Sequence, residues 1–157
     1  MTRKLGMPAI FILIISLMIS VPVVGFAAEM NKAKVLEIKG EAKFMKAGAG
    51  NWEMLKEGMT LTEGDALKTG DASQVILELT GAAKTAEITV RQNSEFVFEA
   101  FQHDAASMTD KTLLNVDTGG VLVKAEKLIG ESKFQVKTPT SIVGIRGTTF
   151  EVYASRS

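Results

Sequence analysis

Apolar and polar residues alternate along most of this chain with a period of two, the spacing of strands that bury one face and wet the other. The first such run places Leu36, Ile38, Gly40, Ala42 and Phe44 on one face and Glu37, Lys39, Glu41 and Lys43 on the other. Lys46 to Asn51, with two glycines, reads as a hairpin turn. Val75, Leu77 and Leu79 continue the alternation, followed by Ala86, Ile88 and Val90, and then by Ser94, Phe96 and Phe98. Phe101 to Lys111 breaks the pattern and reads as a loop at a sheet edge. Leu114 and Val116 restart it, Gly119-Gly120 reads as a bulge or corner, and Val121, Val123 and Ala125 follow. Phe134, Val136 and Thr138 make a further strand, which Pro139 ends because it has no N–H and holds its predecessor extended. No segment sustains a helical period. About ten short strands with turn signals every eight to twelve residues predict an all-β domain. The expected form is a single antiparallel-rich β-sandwich or roll, or a β-helix-like domain.

The first residues stand outside that pattern. Arg3 and Lys4 precede an apolar run from Ala9 to Val24, broken near its end by Pro22 and Gly25. Gly25 and Ala27 are small residues at the −3 and −1 positions of a cleavage site, so residues 1–27 read as a signal peptide. The run is shorter than the roughly 20 apolar residues of a membrane span, so no stable span is expected after cleavage. Residues 28–34 read as a flexible lead-in, 35–153 as one β domain and 154–157 as a tail. Removing 27 of 157 residues leaves 130, a single-domain length that needs no covalent staple. There is no cysteine, which makes the fold indifferent to an oxidising compartment. Of 18 basic and 18 acidic side chains, only Arg3 and Lys4 leave with the signal, so 16 face 18. With no basic run, nucleic acid is not an expected partner.

The chain offers little chemistry. One histidine and no cysteine cannot build a zinc site. His103 and Asp104 are adjacent and would point to opposite faces of a strand, which is unsuited to a triad. The glutamates lie at wet-face positions rather than as a facing pair. No catalytic residue, metal ligand or cofactor is therefore assigned. Glu63-Gly64-Asp65 reads as a tight turn in which Asp65 bonds nearby backbone N–H groups. Arg146 sits among Ile145, Gly144 and Gly147, and close packing there would require an acceptor. Asp65 is the expected partner; an anion or carboxylate contact is the alternative. Trp52, the sole tryptophan, is a rim or core anchor beside Met54 and Leu55, or else an exposed stacking platform. Phe101 and Tyr153 are the other stacking candidates.

Two stretches carry a family resemblance. V-K-T-P-T-S-I-V-G-I-R-G-T-T-F-E-V, from Val136 to Val152, resembles the closing motif of FecR-domain proteins, V-x-T-P-x-A-x-x-x-V-R-G-T-x-F-x-V. Gly58 to Gly70 resembles their G-x-x-L-x-x-G-D-x-I-x-T-G. Asn93-Ser94-Glu95-Phe96 is similar to their P-x-S-x-h, with Gln92 where proline is common, and Asp117 to Val123 is similar to their L-x-x-G-x-V-x-V strand. On this resemblance, Gly64, Asp65, Thr138, Pro139, Arg146, Gly147 and Thr148 form a structural motif. FecR-like proteins couple an outer-membrane iron-siderophore receptor to a sigma-factor regulator, and their FecR domain meets a protein partner in the periplasm. The implied expectation is a non-enzymatic, free-standing, exported or periplasmic module that binds a protein in envelope sensing or signalling. The alternative is a structural or carbohydrate- and wall-contacting envelope protein. An exposed edge strand over Thr148 to Tyr153 is the expected docking edge. Trp52, Phe150, Val152 and Tyr153 are the candidate partner-binding residues.

Overall fold

Twelve strands, with no helix among the described residues, account for the alternation read above. The computed structural model describes residues 31–80, 84–104, 106–128 and 130–155. The signal-peptide assignment falls on residues 1–27 and lies outside them. In chain order the strands are β1 (Lys32–Lys39), β2 (Ala42–Met45), β3 (Glu53–Met54), β4 (Thr60–Leu61), β5 (Ala66–Thr69) and β6 (Gln74–Thr80). They continue as β7 (Lys84–Val90), β8 (Glu95–Asp104), β9 (Thr109–Ala125), β10 (Lys133–Lys137), β11 (Ile142–Ile145) and β12 (Thr149–Ala154).

The strands form one curled sheet with two wings. One wing runs β4-β1-β6-β7-β9-β12 and the other β3-β2-β5-β8-β9-β10-β11. Every pairing is antiparallel except β9 with β10. The 17-residue strand β9 belongs to both wings: its first half pairs with β8 and β10, its second with β7 and β12. Four of the places where the chain crosses between the wings lie side by side: Gly40, Gly70 to Ser73, Arg91 to Ser94, and Gly119-Gly120.

These crossings are stitched to one another. The Ser73 hydroxyl accepts from Glu41 N at 2.8 Å, and the Gly70 N–H donates to Glu41 O at 2.9 Å. Thr69 Oγ1 donates to Arg91 O at 2.6 Å and accepts from Ser94 N at 3.0 Å. Ser94 Oγ accepts from Gly120 N at 2.9 Å and donates to Gly120 O at 3.1 Å. A line of corners would otherwise bury unpaired backbone groups, each costing about 1–3 kcal/mol. Small hydroxyl residues satisfy them without filling the space the crossing strands occupy.

The wings enclose one continuous core. Val75, Leu77, Leu79, Ile88, Val90, Val121 and Val123 enter it from the first wing. Leu67, Phe96, Phe98, Leu114, Val116, Phe134 and Val136 enter it from the second. Phe98 packs edge-on against Phe96 and stacks on Phe101, each at a centroid distance of 5.2 Å. Each such ring contributes about 1.5–3 kcal/mol by leaving water.

Three local expectations change. Leu36 is 40% exposed, because a bulge between Val35 and Glu37 reverses the alternation, so that Ala33, Val35 and Ile38 face inward. The run from Leu36 to Phe44 is two strands meeting at Gly40, and β1 already begins at Lys32. Phe101 to Lys111 is no edge loop. A register shift between Phe98 and Ala100 carries β8 on to Asp104, and β9 returns from Thr109. The same shift turns Phe101 inward, where it is 2% exposed and packs on Phe98, out of reach of a ligand.

Candidate functional site

β9 ends the run of tightly paired strands, and the C-terminal segment builds outward from it. Thr138 and Ser141 close the turn from β10 to β11: Thr138 N donates to Ser141 O at 2.8 Å, and Ser141 N to Thr138 Oγ1 at 3.1 Å. Pro139 and Thr140 occupy its tip, where a missing N–H costs nothing. The segment then crosses from one wing to the other through Arg146-Gly147-Thr148. Gly147 is the residue this crossing depends on. Its φ is +68°, and a Cβ there would lie 2.8 Å from Lys127 Cα.

Arg146 is not buried. It is exposed, lining a hollow of about 510 Å³ with Glu131, Ser132, Lys133 and Gln135. The expected pair with Asp65 does not form. Asp65 is 1% exposed, and its carboxylate accepts from Lys46 Nζ at 2.7 Å, Thr62 N at 2.9 Å and Ala47 N at 3.0 Å. It ties the two turns that flank β2 and β5, and Arg146 belongs to the other end of the strand order. Burial pushes the Asp65 carboxyl up, but the Lys46 ammonium and the two N–H donors outweigh it, leaving the group below its ordinary range.

β12 lies at an edge: among the described residues it pairs with β9 alone. Ala125 N donates to Thr148 O at 3.3 Å, which fixes the phase of the ladder. Phe150, Val152 and Ala154 therefore sit in hydrogen-bonded pairs with Val123, Val121 and Gly119. The N–H and C=O groups of Thr149, Glu151 and Tyr153 point to the open side. Phe150 and Val152 face the core but are only half-buried.

Tyr153 is 69% exposed and lies across Gly120, where a Cβ would come within 2.6 Å of its ring. Its hydroxyl donates to Glu151 Oε1 at 2.9 Å, and Arg91 Nε donates to the same oxygen at 2.8 Å. The Tyr153 and Arg91 hydrogen bonds lower the Glu151 pKa, and the Glu151 acceptor raises that of Tyr153.

Trp52 is elsewhere. It precedes β3 at the far end of the strand order, half-buried, with Lys68 Nζ 4.1 Å from its ring centroid. Of the four candidate partner-binding residues, the fold brings together Phe150, Val152 and Tyr153 and leaves Trp52 apart. His103 pairs across the β8–β9 hairpin with Asp110, Nδ1 to Oδ1 2.9 Å, rather than working with Asp104. Asp104 instead caps its own turn, accepting from Ala106 N at 2.9 Å. Among the described residues no three His, Asp or Glu side chains gather as metal ligands, and no helix is long and apolar enough to cross a membrane.

The family model described as "FecR protein" matches residues 65–157. The chain belongs to the FecR family. The match takes in Asp65, the long strand β9 and the C-terminal segment. No curated protein and no solved structure matches the chain. Sequence reasoning on this FecR domain missed Lys46 as the Asp65 partner and the Arg91–Glu151–Tyr153 network. Lys46 sits in a turn whose approach to Asp65 depends on the β2–β5 pairing, and Arg91 and Glu151 are 60 residues apart.

Proposed function

We propose that this FecR domain is a non-enzymatic, exported binding module of the cell envelope. It acts in sensing or signalling by receiving an extended segment of a partner protein along β12. The carrying observation is the edge itself: three residues, Thr149, Glu151 and Tyr153, present unpaired backbone groups beside the half-buried Phe150 and Val152. An added strand would take up those donors and acceptors and complete the cover over both apolar side chains. Family membership supports a signalling role, and the signal-peptide reading of residues 1–27 supports export. The partner is a protein with an accessible extended segment carrying apolar residues at alternate positions.

Thr149→Pro tests this, because it removes an edge-facing N–H without touching the bonds to β9. The tagged protein and its Thr149→Pro variant are compared as baits for envelope extracts, with mass spectrometry of what they retain. The reading expects a protein retained by the parent and lost by the variant at unchanged melting temperature. Identical retention, or none by either bait, overturns it.

A further inference from the structure

The line of corners also makes a groove of about 800 Å³, inside the roughly 300–1,000 Å³ range of small-molecule sites. One wall is a row with a residue from each successive strand of the first wing or its end: Lys39, Gln74, Arg91, Gly120 and Tyr153. Gln92, Asn93 and Thr118 are among the residues on the other side. The cations at this site are already matched, Arg91 by Glu151 and Lys39 by Glu37 at 3.2 Å. The side chains of Gln74, Gln92 and Thr118 have no hydrogen-bond partner among the described residues, so their amides and hydroxyl are free to bind. Two lining residues other than glycine, Ala72 and Asn93, hold left-handed backbone conformations with φ of 48° and 51°.

We propose that this groove binds a neutral oligosaccharide, with Tyr153 as the stacking platform and Gln74, Gln92, Asn93 and Thr118 as the hydroxyl-reading groups. Paired charges give a free anion little to gain here. Amides that both donate and accept match the hydroxyls of a sugar, and a tyrosine ring held by its hydroxyl offers an apolar face with one wet edge. The Glu151 bond and the bare Gly120 backbone beneath fix the ring before a ligand arrives, which reduces the ordering cost of binding. The site is separate from the open side of β12, because it uses the outer face of Tyr153 rather than its backbone.

The test is a ¹⁵N-resolved titration of the purified protein with a neutral N-acetylglucosamine tetramer, a neutral glucose tetramer and an acidic galacturonate tetramer. The expected result is saturable shifts at Gln74, Asn93, Thr118 and Tyr153 with at least one neutral sugar. Tyr153→Ala should weaken that binding by about tenfold or more, the loss of one well-formed aromatic contact, while Tyr153→Phe keeps most of it. Thr149→Pro, which blocks strand addition, should leave it intact. Absence of saturable shifts with both neutral sugars, selection of the acidic one, or equal affinity in Tyr153→Ala overturns the proposal.

Discussion

Ser94 and Gly119 meet so closely at the corner of β9 that no side chain fits between them. A Cβ on Gly119 would lie 2.3 Å from Ser94 Oγ and 2.4 Å from Ser94 Cα, and the Gly119 φ is +86°. The long strand can therefore serve both wings only because it turns at a residue without a side chain. Gly119→Ala should cost about 2–4 kcal/mol, combining left-handed strain with a clash against backbone. Gly48→Ala, with φ of +74° and nothing within 4 Å, should cost only about 1–2 kcal/mol. Urea denaturation of the two variants checks the difference.

Asp65 makes stability depend on pH. Its folded pKa lies below the unfolded value of about 3.9, so its contribution is complete above that value and is lost as pH falls through the folded one. Asp65→Asn should cost about 2–4 kcal/mol at pH 7, by weakening the Lys46 bond and the two backbone N–H contacts. The variant should also lose less stability than the parent between pH 5 and about 2.5. The exposed carboxylates Glu41, Asp104 and Glu151, whose pKa values are also lowered, keep a smaller common slope in both proteins. Denaturation midpoints across that range decide it.

Arg146 and Gly147 should behave oppositely to what a buried arginine would imply. Arg146→Ala removes an exposed side chain and should change stability by no more than about 0.5 kcal/mol. Gly147→Ala pushes a methyl group toward Lys127 Cα and should cost about 2–3 kcal/mol. Thermal melts of both variants check the order.

The open side of β12 should be visible in amide exchange. The amides of Phe150 and Val152 donate to β9 and should exchange slowly, while those of Thr149, Glu151 and Tyr153 should exchange fast. The alternation, residue by residue, is the signature of a strand paired on one side only.

The strands were readable wherever one face is wet, because alternation survives any arrangement of neighbours. Val75, Leu77 and Leu79, or Phe134 and Val136, are buried as their spacing requires. Facing failed where a single residue is added, at Leu36 and again between Phe98 and Ala100, because a bulge leaves composition unchanged while reversing every later side chain. Gly119-Gly120 was legible as a corner, but the reason it must be glycine lies on Ser94, 25 residues earlier. Asp65 was legible as a turn residue. Its partner was not, because choosing Lys46 over Arg146 requires knowing that β2 pairs with β5. The Thr148 to Tyr153 stretch was legible as a candidate edge, but the crossing that delivers it to β9 was not, and Trp52 carries no mark in the sequence of which wing it joins.

The most direct measurement is site-specific photocrosslinking in the cells that make the protein. A crosslinking side chain is placed at Thr149, on the open side of β12, and separately at Ala49, in the turn between β2 and β3. The account predicts one discrete protein adduct from position 149 and not from 49, lost when Tyr153 is also changed to Pro to block the edge. Equal adducts from both positions, or none from 149, would contradict it.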